Sequence, residues 1–391
     1  MAFTGLSTDL QFTASGGSLN AEDVSPIIAE LSNFETPLLD WLGDAPYQGA
    51  NVLHEFLEEE LRPNYLTNST AINSATAATG IQLADFGDTL TVGTLIENET
   101  QAEILQVSSV VGQFSVLVTR AYGGGTTGSL VAGGQLFVRG NYQLEGGGAS
   151  GDVTRRRRRK QTFMGFFQVP ISVSLTQQAT TGLGRSTDVA AIAAGQSEYD
   201  HQKMLRIIEA LRDLEKEVIR GVVSGNSIGS RTAFRSFDGL LTKCGSINST
   251  VTTSSFDANP HKYVGDIMEQ AFLNGASPQE EWGILAGRTH FRSLSNLNDT
   301  KVYDSNASED FKRLITEYQG PFGKCRILLS RWMTPQGLIV VPRNRVKVVG
   351  LQGRTFQHIP YAVTKSSQDG AVEGEYTVEV HHPQAIPRLH A

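Results

Sequence analysis

Three short stretches hold residue types that do chemistry in other proteins. Gly225–Gly229, GNSIG, spaces Ser227 as the nucleophile of a G-x-S-x-G elbow, which would serve acyl transfer. That elbow needs a strand before the serine and a helix after it, so that the hydroxyl stands exposed on a strained turn. Here a long helical pattern precedes the serine and a polar loop follows, so the stretch reads as a helix stop and turn. His54–Glu60, HEFLEEE, begins like a zinc-protease motif but lacks the second histidine four residues on. His381 and His382 are adjacent in an extended pattern and point to opposite faces, which keeps them from sharing one metal ion. Cys244 and Cys325 are the only cysteines; they make neither a disulfide framework nor a zinc site and point to a reducing compartment. With no phosphate-binding or dinucleotide-binding glycine motif either, we expect no catalytic residue, no metal ligand and no cofactor.

A different chemistry stands in Thr154–Phe163, TRRRRRKQTF, where Arg155, Arg156, Arg157, Arg158, Arg159 and Lys160 are consecutive. Clustered arginines bind phosphate without reading base sequence. The net charge of −7 excludes nucleic-acid binding by bulk electrostatics, so any such role is local. Direct nucleic-acid contact, charge pairing between protein segments and a solvated loop are the three readings. The stretch lacks the stacking and groove-reading features of nucleic-acid modules, and charge pairing is favoured. The matching anions are Glu55, Glu58, Glu59 and Glu60 in HEFLEEEL. Facing pairs on adjacent strands contribute about 0.2–1 kcal/mol each. Six cations against four anions leave an excess that needs a partner beyond this hairpin, such as another copy of the chain.

The elements that position these charges follow from patterning. At 391 residues the chain is long enough for two or three domains, and 40 glycines favour turns and β-structure. Met1–Gly17 reads as an arm without the basic and apolar regions of a signal peptide, and no apolar run is long enough to cross a bilayer. A soluble protein made inside the cell is expected, and the five N-x-S/T triplets read as chance matches. A short helix between Pro26 and Pro37 is expected to be followed by an extended stretch, and NVLHEFLEEELRP has the period of a strand. Thr70–Tyr142 is rich in Gly, Thr, Val and Ala, with Arg120 and Arg139 its only cations, and reads as an all-β module set into the hairpin. Its flanks, the acidic and the basic segments, should then lie side by side.

Ser197–Val223 reads as one helix about 39 Å long. Leu205, Ile208, Leu211, Val218, Ile219 and Val222 form its apolar stripe, and Arg206, Glu209, Arg212 and Glu215 lie among the charges opposite. From Leu240 to Val349 helices and strands alternate, with helices over NPHKYVGDIMEQAFLNG and THFRSLSNL and strands over WGILAG, KCRILLSRWM and GLIVVP. EGEYTVEVHHPQAIPRL alternates again as a strand.

The order of ETPLLDWLG, HEFLEEEL, the arginine run into TFMGFFQVPISVSLTQQAT, LRDLEKEVIRG and RWM…GLIVVP resembles tailed-bacteriophage major capsid proteins of the SU10 family. The resemblance covers most of the chain. It implies an α+β, HK97-like capsid fold with an N-terminal arm (1–50) and an E-loop (51–69 and 143–168) carrying the inserted β-module (70–142). A peripheral domain with the long spine helix (169–239), an axial domain (240–349) and returning C-terminal strands (350–391) complete it. It further implies homo-hexamers and pentamers closing into an icosahedral shell around double-stranded DNA, and a place in the virion. Scaffolding, portal and decoration proteins are the other expected partners. Glu55, Glu58, Glu59, Glu60 and Arg155 to Lys160 would contact neighbouring subunits, as would Arg206, Glu209, Arg212 and Glu215 of the spine helix. An encapsulin-type compartment and a phage tail or decoration protein are the alternatives.

Overall fold

In the computed structural model, residues 35–43, 46–59, 61–73, 80–148, 157–176, 198–223, 234–244, 246–247, 253–296 and 317–389 are described. The helix expected between Pro26 and Pro37 lies outside them. The stretch after it is helical rather than extended: α1, Pro37–Leu42, begins on the proline and ends at Gly43, whose φ is 71°. Proline suits the first helical position because its fixed φ fits and its missing N–H would be unpaired there anyway. β1, Leu53–Glu58, follows the period read from the sequence.

Leu57–Lys160 forms one compact unit. Its strands are β2 (Tyr65–Thr67), β3 (Gly80–Gln82), β4 (Thr94–Asn98), β5 (Glu103–Gly112), β6 (Ser115–Thr119) and β7 (Gln135–Asn141). They form a six-stranded sheet in the order β2-β7-β4-β5-β6-β3. The Ser69 amide donates to the Gln82 carbonyl and the Ala84 amide to the Thr67 carbonyl, both at 2.8 Å, so the first and last strands join and the sheet closes into a barrel. Alternate residues such as Leu66, Ile96, Leu105, Val116 and Leu136 fill its interior. The glycine-rich loop after β6 is held by a buried ion pair: Arg120 reaches Glu103 at 2.6 Å, and Glu103 also accepts the Gly128 amide at 2.9 Å.

The other unit is Met1–Phe56 with Gln161–Ala391. β8 (Arg158–Phe163) pairs with β1 in a two-stranded sheet. β9 (Gly165–Ser174) then enters the main sheet, and α2 (Glu198–Arg220) crosses that sheet. α2 buries Ala210, Leu214 and Val218 at four-residue spacings, with Ile219 beside them. Of the stripe read from the sequence, Val218 and Ile219 are buried, Leu205, Ile208 and Leu211 are half-buried, and Val222 is 65% exposed because the helix has already ended. α3 (Leu240–Lys243), β10 (Ser246–Ile247), α4 (Thr253–Ala258), α5 (Pro260–Leu273), β11 (Trp282–Ala286) and α6 (Arg288–Asn296) come next. β12 (Glu317–Gly320), β13 (Gly323–Leu329), β14 (Leu338–Pro342), β15 (Val346–Gly350), β16 (Gln357–Pro360), β17 (Ser367–Val380) and β18 (Arg388–Leu389) complete the chain.

Two sheets result. One runs β10-β18-β14-β11-β13-β12, and its central β11 is wholly buried between an antiparallel and a parallel neighbour. Val264, Ile267 and Met268 of α5 pack on this sheet's Trp282, Ile284 and Val340. The other is organised by β17, which pairs with β9 along Ser367–Tyr376, while β16 and β15 bond to its two halves. Val378 and Val380 of β17 share one core with Leu214, Val218 and Ile219 of α2, with Leu285 and Ile339, and with Leu38 and Trp41 of α1.

Candidate functional site

The charged strand pair presents mostly exposed groups. Arg157, Arg158, Arg159 and Lys160 are all exposed, as are Glu55 and Glu59. Arg157 Nε lies 3.5 Å from Glu59 Oε2, so the acidic and basic flanks do meet. Both side chains are about two-thirds exposed, at 66% and 62%, and such a pair contributes about 0–1 kcal/mol. Glu58 differs: it is only 4% exposed and is covered by its own chain, one residue out of phase with its exposed neighbours along the strand. Arg155, Arg156 and Glu60 lie outside the described residues.

On α2, Arg206 and Glu209 pair with each other, and Arg212 Nε lies 3.9 Å from Asp213 Oδ1. Both pairs lie within the helix, at spacings of three and one residues. Glu215 corrects the helical-wheel reading more sharply. It is fully buried, and its two oxygens accept the backbone amides of Leu38 at 3.0 Å and Leu39 at 2.9 Å. The carboxylate therefore caps α1 of its own chain and does not face outward. Burial pushes its pKa up to about 7, partly offset by those two amides, while Asp40 adds to the rise.

The same short helix is stapled from its other side. Arg331 donates to both oxygens of Glu35, each at 2.9 Å, and Trp332 Nε1 donates to the Glu35 carbonyl at 3.1 Å. Trp41 lies over Gly283 of β11 so closely that a Cβ there would come within 2.7 Å of the indole. Neither Glu215 nor Arg331 carried a sequence signal for this role, since their partners are 177 and 296 residues away.

One face of β17 is a buried polar row. Glu373 accepts from Gln168 at 2.8 Å, Tyr361 at 3.1 Å and Arg354 at 3.2 Å. Glu375 accepts from Arg235 at 2.9 Å and from Arg354 at 3.2 Å. Glu379 meets Tyr47, His54 and His381. Alternation located this strand, but it left these acids facing water, and the residues that cover them come from remote segments.

The stretches that raised enzymatic chemistry sit as follows. GNSIG with Ser227 lies outside the described residues. His54 is committed to Glu379, and His382 leaves the strand with φ 48° at the start of a turn. Both cysteines are buried, and burial pushes each thiol up to about 12, which disfavours the nucleophilic thiolate. Among the described residues, no three His, Cys, Asp or Glu side chains are placed to hold a metal ion. Nor is any described helix long and apolar enough to cross a membrane.

No curated protein sequence matches the chain. Among solved structures, the capsid of a native GTA particle is 11% identical with a TM-score of 0.48, covering 98% of this chain and 99% of that one. The capsid of Myoviridae phage XM1 is 10% identical, with a TM-score of 0.48 over 96% of this chain and 99% of that one. The SrpI encapsulin complex of Synechococcus elongatus PCC 7942 is 11% identical, with a TM-score of 0.37 over 59% of this chain and 75% of that one. The sequence profile described as SU10 major capsid protein matches residues 5–391, and the chain belongs to that family.

Proposed function

We propose that this chain is the shell subunit of a tailed double-stranded DNA bacteriophage, assembling through hexamers and pentamers into the icosahedral capsid of the virion. The family match over residues 5–391 carries this reading. On this reading the two-stranded charged pair is the E-loop and the closed barrel an insertion within it. α2 becomes the spine of the peripheral domain, and the sheet around β11 the axial domain. The exposed Arg157, Arg158, Arg159 and Lys160 are the groups that reach a neighbouring subunit, with Arg155 and Arg156 continuing the run. Their exposure is what supports contact beyond the chain's own hairpin. Turnover is no part of this role: Ser227→Ala should leave assembly intact and remove no ester hydrolysis.

Electron microscopy of the purified chain tests the proposal. Closed icosahedral particles built from hexamers and pentamers support it, and packaged DNA in particles recovered from lysed host cells completes it. Particles filled with a protein cargo and no genome would instead favour an encapsulin-type compartment, and tubes or monomers would refute both.

A further inference from the structure

Between the start of β9, α2 and the segment Arg235–Phe237 lies a cleft of about 350 Å³. Part of its lining is aromatic. Phe167 and the buried Phe237 meet edge to face, with ring centroids 6.3 Å apart. Gly165 leaves room for this packing, since a Cβ there would stand 2.8 Å from the Phe237 ring. Phe166 lines the same cleft and is 39% exposed. The Arg354 guanidinium lies 5.9 Å from the centre of the Phe166 ring, although its donors are committed to Glu373 and Glu375.

Asp213, Lys216, Glu217 and Arg235 bring charge to the cleft, and all but Glu217 are engaged. Lys216 reaches Asp213 at 2.7 Å and lies 4.9 Å from the centre of the Trp332 ring. Arg235 is held by Glu375 at 2.9 Å. Glu217 is half-buried, and among the described residues its carboxylate has neither a hydrogen bond nor an ion pair. Burial raises its pKa, Asp213 adds to the rise, and Lys216 only partly offsets them. A carboxylate without a counter-ion, set beside aromatic rings, is an arrangement that takes up a guanidinium or ammonium group.

The chain offers such groups in excess on its own surface, where Arg157, Arg158, Arg159 and Lys160 are exposed at β8. Successive side chains of a strand point to opposite sides, so the run presents cations both ways. Arginine suits the cleft better than lysine, because its flat guanidinium can lie on a ring while donating to a carboxylate. We propose that this cleft receives the arginine run of a second copy of the chain, with one guanidinium lying on the aromatic lining and donating to Glu217. The inference rests on the shell reading above, which supplies the second copy. Glu217 gains the counter-charge that its own chain does not provide, and the contact weakens as salt screens it.

Light scattering over a concentration series, with particles checked by electron microscopy, gives the threshold for DNA-free assembly of the full-length chain. Glu217→Gln should raise that threshold about three- to tenfold. Glu99→Gln, the same charge change at an exposed residue of the barrel, should leave it where it is. Urea unfolding of unassembled Glu217→Gln subunits should show no loss of stability, since the carboxylate has no partner within the chain. Glu217→Arg and the reversed run Arg158→Glu/Arg159→Glu should each assemble poorly alone. An equimolar mixture of the two should recover assembly, because each variant supplies the charge that the other's cleft or run requires. A Glu217→Gln threshold equal to wild type would overturn the inference and leave the shell reading intact. So would a mixture of the folded variants that assembles no better than either alone, or a loss of subunit stability that accounts for the raised threshold. Wild-type chains that never form closed particles would overturn both readings together.

Discussion

Glu215→Gln isolates the consequence of burying a carboxyl group behind α1. The side chain is fully buried, and its pKa rises from 4.5 to about 7 with burial as the first cause. A rise of that size means that the folded chain holds a proton the unfolded chain has released, so stability falls as pH climbs between the two values. At about 1.4 kcal/mol per pH unit the loss reaches about 3 kcal/mol by pH 8. Glutamine never ionises, but it offers one acceptor where the carboxyl offers two, so one of the Leu38 and Leu39 amides loses its partner at every pH. The variant should therefore be less stable than wild type by about 1–3 kcal/mol near pH 4.5, and the difference should move in its favour by about 3 kcal/mol on going to pH 8. Urea unfolding of unassembled subunits, followed by tryptophan emission, measures both, since Trp41 sits in α1 and Trp332 bonds to the residue before its cap. Comparing the two proteins at each pH cancels every other titrating group. A variant less stable than wild type by the same amount at both pH values would refute the reasoning. It would show that the Leu38 and Leu39 amides hold the carboxylate ionised in spite of its burial.

Changing Arg156 and Arg158 to glutamine should lower the salt concentration at which DNA-free assembly fails, because exposed pairs are weak singly and screened by salt; light scattering across a salt series reads this. Normal assembly with loss of DNA retention alone would reassign the run to the genome. Removing residues 62–148 with a short Gly-Ser linker should leave subunits that still fold and form capsomers by size-exclusion chromatography, since the barrel has a core of its own. Glu103→Gln should destabilise the barrel by about 3–5 kcal/mol, seen as faster proteolysis within residues 121–129 while fragments from β17 stay protected.

The long helix was legible because its apolar residues recur at helical spacing and its charges tolerate water, and β17 because its residues alternate. The barrel was visible as an all-β module through its Val, Ile and Thr, but β2 was not part of that reading, since three residues, Tyr65–Thr67, carry no period and precede the change in composition at Thr70. Polar roles inside the fold were hidden for one common reason. Glu215, Glu373, Glu375 and Glu379 look like solvated charges until the chain brings Leu38, Arg354, Arg235 and His54 to them. Periodicity says which residues share a face, and it does not say what will cover that face. Pro37 misled in the opposite way, reading as a break where it opens a helix.

The joining of β2 to β3 matters most before any particle exists. A free sheet edge offers unpaired amides and carbonyls to any chain nearby, and such edges template aggregation. A protein that assembles from many copies would expose that edge on every one of them at once. With the ring of hydrogen bonds complete, the insertion adds surface without adding a template.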